Sequence, residues 1–215
     1  MKSMIIREAN EIRKFSENFS RLCRNPIDPD YFLNADTVRA FYKKGRMIGG
    51  YTINSQGPLR YRQMIPEPVR SEAGIARYFD GNDACEITCF WLIRAHLTSQ
   101  ERNNVYLLSA VDALRARRKW IFGGSVHPKL ARTQKRVLPN VVYRGPWDFE
   151  GSPAGAEVYC ARWWQLFALI IVAYTSTSVM DRVKAARLAL RRRWLGSRIA
   201  ADRRATARAV ESAGT

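Results

Sequence analysis

The chain has 215 residues, 47% hydrophobic and 11% aromatic, which suffices for a real core and excludes general disorder. Its 36 Lys and Arg against 19 Asp and Glu give a formal charge of +17. That charge predicts a polyanionic or acidic partner: nucleic acid, anionic lipid or an acidic protein. Cys23, Cys85, Cys89 and Cys160 show no disulfide-framework spacing, and no secretory signal opens the chain, so free thiols in a reducing cytoplasm are expected.

In chain order, residues 5–24 read as one helix, with Ile5, Ile12, Phe15, Phe19 and Leu22 at helical spacing. Asn25-Pro26 and Asp28-Pro29 stop it, because a residue before proline avoids the helical region. Residues 37–42 and 47–54 predict a hairpin around Lys43-Lys44-Gly45-Arg46. Gln56-Gly57-Pro58 breaks it, Leu59-Arg60-Tyr61 is expected to be extended, and residues 63–83 to be a long loop with about one helical turn.

Residues 84–126 read as strand, helix, strand. CEITCFWLI mixes β-branched and aromatic residues as a buried strand does. Cys85 and Cys89 are expected to share one of its faces. Leu107, Ala110, Val111 and Leu114 mark one face of the helix, and Arg115, Arg117, Arg118 and Lys119 load its last turn. Trp120-Ile121-Phe122 begins the second strand, and Gly123-Gly124 permits a turn or a close approach of the backbone to a ligand. Strands joined in this way should be parallel neighbours. A short basic helix over 128–138 and strands over 141–144 and 157–161 follow. The fold class is therefore mixed α/β (α+β), antiparallel in its first half with a parallel pair at the centre.

The domain is expected to end at residue 162. Residues 163–180, WWQLFALIIVAYTSTSVM, carry no charge, and residues 181–215 hold ten Lys or Arg against three acids. This helical tail has three open readings: a segment buried or bound at a membrane interface, a membrane span, and a packing or dimerisation helix. No nucleic-acid recognition motif accompanies the arginines, so nucleic acid is not the expected partner. His96 and His127 are too few for a zinc centre, and no metal is expected.

Over residues 35–162 this order resembles the GNAT acyltransferase superfamily, and within it the acyl-homoserine-lactone synthases. The resemblance rests on GRMIGGYTINSQGPLRY, on CEITCF (similar to the synthases' E-x-S-R-F strand), and on LPNVVYRGPWDFEGSPAGAEVYCA, similar to their late strand, Gly-Pro turn and return strand. It implies a GNAT-like sheet with a splayed central parallel pair flanked by helices. Where acetyltransferases carry the glycine-rich loop Q/R-x-x-G-x-G/A for a diphosphate, this chain reads LTSQERNNV, and Cys89 stands where the synthases' strand has arginine. Asp28, Asp30 and Asp36 lie near the place of the synthases' paired aspartates.

The resemblance implies transfer of a fatty acyl group from an acyl-carrier-protein (or CoA) thioester to a small amine. Glu86 would be general base, with Thr88 beside it as a catalytic residue. Phe90, Trp91, Leu92, Ile93, Phe122, Gly123, Gly124 and Ser125 would line the pantetheine and acyl slot, and Tyr61 and Trp120 could add to the acyl pocket. Arg60, Arg62, Arg115, Arg117, Arg118 and Lys119 would dock an acidic acyl carrier protein. The expected location is cytoplasmic, peripheral on the inner membrane. The rival readings are a CoA-dependent N-acetyltransferase and a non-catalytic GNAT-fold protein binding membrane or nucleic acid.

Overall fold

The structure, a computed structural model, describes residues 1–172 other than 26, 57, 80–82, 127 and 149–154. Its centre is a seven-stranded sheet in the order β1 (Lys2–Ile6), β2 (Thr37–Lys43), β3 (Arg46–Asn54), β4 (Ala84–Leu92), β5 (Trp120–Ser125), β7 (Ala156–Arg162) and β6 (Asn140–Gly145). All neighbours are antiparallel except β4 and β5, the pair read as parallel from sequence. The β2–β3 turn is Lys44-Gly45 with both φ angles positive (50° and 74°), as a two-residue hairpin of matching twist requires.

The helices cover both faces. On one side, α6 (Ser99–Arg115), α7 (Pro128–Gln134) and Leu166 pack with Phe41, Tyr51, Cys85, Ile121 and Tyr159. On the other, α1 (Ala9–Cys23) and α2 (Pro29–Leu33) cover β1, β2 and the end of β4. The short helices α3 (Arg60–Met64), α4 (Glu67–Arg70) and α5 (Ala73–Ala76) lie beside Phe122, Val158 and Cys160.

Four expectations are corrected. The predicted first helix is two elements, because Lys2–Ile6 pairs with β2 and only Ala9 onward is helical. Leu59-Arg60-Tyr61 leads into a helix, and the expected loop to residue 83 contains α4 and α5, too short to show a period. The buried face of α6 is Val105, Ser109, Ala110, Asp112 and Ala113; of the predicted stripe Ala110 is buried and Leu114 packs against the same core, while Leu107 and Val111 are only partly buried. Asp112 can be buried because Arg39 holds it bidentately (2.6 and 3.1 Å) and Tyr51 donates to it at 2.8 Å.

The fourth concerns Cys85 and Cys89, which sit in clusters on opposite faces. Between β3 and β4, Gly50 opposes Trp91 and Thr52 opposes Thr88, so Tyr51 alone faces both Cys89 and Phe90. This is a β-bulge with Cys89 at φ 49°, and it inverts the alternation along the strand.

The compact unit runs from Met1 to Ile170, past the boundary expected at 162, and Leu166 is fully buried within it. Residues 163–172 are helical, with Trp163, Trp164 and Phe167 half exposed. A second unit comprises Ile171–Thr215, and the expectations for the apolar stretch beyond 172 and for the Arg-rich segment lie outside the described residues. Among the described residues no helix is long and apolar enough to cross a membrane.

Candidate active site

β4 and β5 pair only from Ala84↔Trp120 to Glu86↔Phe122. Beyond that point β4 stays bonded to β3 as far as Leu92, and β5 to β7 as far as Ser125. The strands therefore diverge, opening a wedge with Glu86 and Phe122 at its apex.

Tyr61 stands in that wedge. Its hydroxyl donates to the Ile87 carbonyl at 3.2 Å and the Gly124 carbonyl at 3.3 Å, one on each strand. A β-carbon at Gly124 would collide with the Tyr61 ring, and one at Gly123 would lie 2.6 Å from Leu138 Cδ1. The close approaches that these glycines permit are thus made by the protein's own side chains.

Glu86 is fully buried and has three hydrogen-bond donors. Tyr31 Oη donates to Oε1 at 2.7 Å, and the backbone amides of Arg60 and Tyr61 donate at 2.9 and 3.0 Å, so the carboxylate caps α3. Burial pushes its pKa up from the usual value, while the two amides, the Tyr31 hydroxyl and the Arg60 charge hold it down. Tyr31 Oη also lies 2.6 Å from Thr88 Oγ1, which links Thr88 to Glu86 through one phenol.

Arg60 does not point outward as a docking residue would. Its guanidinium donates to Asn25 Oδ1 at 2.8 Å and to Cys89 Sγ at 3.7 Å. Burial raises the Cys89 pKa to about 11, so the thiol is protonated at neutral pH.

The remaining predicted residues divide. Phe90 stacks between Tyr51 and Tyr106 and, with Leu92, packs on the α6 face; Trp91 and Ile93 belong to the cluster under α1. Phe122 stacks on Phe79 with ring centroids 4.6 Å apart. Ser125 is buried at the open end of β5, opposite Glu157. Arg62 is exposed on α3. Arg115, Arg117, Arg118 and Lys119 precede β5, at the closed end of the parallel pair and about 16 Å along the strand from Ser125. Arg115 pairs with Asp112, and Arg118 donates to Ser55.

The mouth of the wedge has a different set of charges. Thr98 and Glu101 form a reciprocal capping box on α6, and Glu101 also bonds Lys43 and the Met1 ammonium. These contacts lower the Glu101 pKa to about 2, the Thr98 amide first and Lys43 next. The N-cap of α6 is therefore already taken up by the side chains of Thr98 and Glu101.

Sequence reasoning missed Tyr31, which stands 55 residues from Glu86 with no local signal. Among the described residues no group of three or more His, Cys, Asp and Glu side chains gathers that could hold a metal.

No family model and no curated protein matches the sequence. Solved structures match the fold, which is that of the GNAT acyltransferases. FeeM, an N-acyl amino acid synthase from uncultured soil microbes, aligns over 81% of this chain and 96% of its own at 14% identity, with a TM-score of 0.57. A ribosomal-protein-alanine N-acetyltransferase from Brucella melitensis aligns over 75% of this chain and 99% of its own at 7% identity, with a TM-score of 0.50.

Proposed function

We propose that this chain is an N-acyltransferase that moves a fatty acyl group from a carrier-protein thioester to a small amine. The observation that carries the reading is the divergence of β4 and β5 beyond Glu86↔Phe122, a slot between two otherwise bonded strands. An extended pantetheine arm would enter that slot beyond the Tyr61 hydroxyl, which already bridges the Ile87 and Gly124 carbonyls. The acceptor nitrogen bonds to the thioester carbonyl carbon and the carbon–sulfur bond breaks. The nitrogen's proton passes to the Glu86 carboxylate through the hydroxyls of Thr88 and Tyr31, and the thiolate leaves and takes a proton from water.

A carrier-linked donor is favoured over CoA by the α6 N-terminus. A diphosphate there would meet Glu101, whose carboxylate already accepts from the Thr98 amide and from Lys43. Lys43, Arg94 and Arg102 surround that end of the sheet and supply positive charge for an acidic carrier. The half-exposed Trp163, Trp164 and Phe167 support attachment to an anionic membrane surface.

The test is mass spectrometry of reactions containing dodecanoyl carrier protein or dodecanoyl-CoA, a panel of primary amines, and wild-type or Glu86→Gln protein. An N-dodecanoyl amine formed from the carrier thioester, and lost with Glu86→Gln, is expected. Folded protein that yields no product from either donor would move the reading to the non-catalytic one.

A further inference from the structure

Building on that reading, the geometry points to Arg60 as the anchor for a carboxylate on the acyl acceptor, which makes the acceptor an amino acid rather than a plain amine. Arg60 is half-buried, and the hydrogen bonds of its guanidinium go to two neutral atoms, Asn25 Oδ1 and Cys89 Sγ. Among the described residues no carboxylate forms an ion pair with it. Arg39, the other inward-facing arginine of the sheet region, shows the contrast, with both faces of its fork on Asp112. A planar fork of five donors held by an amide oxygen and a thiol keeps donors to spare for a bidentate anion.

The position fits an acceptor better than the donor's phosphate. Cys89 lies three residues past Glu86, on the diverging part of β4, and the bulge turns its sulfur toward the face that also carries Glu86, Thr88 and Tyr31. The reacting thioester carbon belongs near that point, while a pantetheine phosphate lies at the far end of its arm, toward the mouth. An amino acid has its amine two bonds from its carboxylate. Held by Arg60, it presents that amine to the wedge beside the Thr88–Tyr31–Glu86 chain. Arg60 is itself fixed, because its own amide donates to Glu86 at 2.9 Å, so the group that holds the acceptor and the group that takes its proton share one anchor.

The experiment uses the full chain and two neutral-pH probe pairs. In calorimetric titration, N-dodecanoylglycine should bind about tenfold or more tightly than N-dodecanoylglycinamide, the worth of one charge-assisted pair. Arg60→Gln should bring the two within about twofold, and Arg60→Lys should keep part of the preference. Equal binding of acid and amide by the wild type, binding of neither, or a preference that survives Arg60→Gln overturns the assignment. Phosphopantetheine is the third probe: if its binding, and not the acid preference, falls tenfold in Arg60→Gln, the guanidinium serves the donor and the assignment is wrong. In the transfer assay, glycine should exceed glycinamide as acceptor. Transfer to both alike sinks this inference alone. A carboxylate preference in binding without transfer to any amine sinks the enzymatic reading instead.

Discussion

Replacing Gly124 by alanine tests whether Tyr61 holds the wedge. The added β-carbon would meet the Tyr61 ring at Cε1, with Cδ1 at 2.9 Å and Cζ at 3.1 Å. Tyr61 is 7% exposed, and its backbone amide is tied to Glu86, so the ring must leave or the strand must bend. Overpacking of this kind costs about 1–3 kcal/mol. Displacing the hydroxyl from the Ile87 and Gly124 carbonyls adds roughly 1 kcal/mol. In a Tyr61→Leu background the obstructing ring is gone, and Gly124→Ala should cost no more than about 0.5 kcal/mol. Urea unfolding of the four proteins then gives a coupling energy of about 1.5 kcal/mol or more between the two positions. Additivity within about 0.5 kcal/mol would refute the strut. Gly50→Ala is the control, because there the β-carbon meets the Arg39 carbonyl oxygen as well as Phe15, and shortening Phe15 cannot relieve a backbone clash.

Three further outcomes follow from the same contacts. Asp112→Asn leaves Arg39 as an uncompensated buried charge and should destabilise the protein by about 3–5 kcal/mol in urea melts, with Arg39→Met partly restoring it. Glu101 titrates at about 2 when folded against an ordinary 4.5, so its stabilising contribution is present above pH 4.5 and is lost as pH falls toward 2. Thermal melts of Glu101→Gln should therefore differ from wild type at pH 6 and converge with it by pH 2. Glu86 has the opposite sign: its pKa is raised by burial, so its contribution is full below 4.5 and declines as pH rises through the folded value. Melts over pH 4–8 should show wild type losing stability relative to Glu86→Gln across that rise, and transfer activity should climb over the same interval as the base ionises.

How much of this was legible in the sequence depends on the reach of each interaction. The parallel pair and its crossover helix were legible because a run of apolar residues, a basic helix end and a second apolar run lie within 43 residues. The Lys44-Gly45 turn was legible because a two-residue hairpin needs positive φ, which glycine supplies without strain. Glu86 stood out as a carboxylate within an apolar strand, a placement that demands partners without naming them. The partners are what pattern reading could not reach. Tyr31 comes from α2, and the amides of Arg60 and Tyr61 from a helix of five residues, too short to announce itself by period. The predicted stripe on α6 held only at Ala110 and Leu114 for a related reason, since the face that is buried also carries an aspartate made tolerable by Arg39 on β2 and Tyr51 on β3.

The bulge at Cys89 is the deepest of these gaps. Period-two reading places Cys85, Ile87 and Cys89 on one face of β4. One extra residue opposite Tyr51 moves Phe90 and Leu92 to the α6 face and turns Cys89 toward α1, α2 and Arg60. Restoring strict alternation would send the thiol under α6 and Phe90 into the site beside Thr88. The phenyl ring would then stand where the guanidinium rests, and Arg60 would lose its seat while Glu86 kept all three of its donors. The same insertion thus decides which face of the strand meets a ligand, and it is written in the φ angle of a single cysteine rather than in any spacing of residue types.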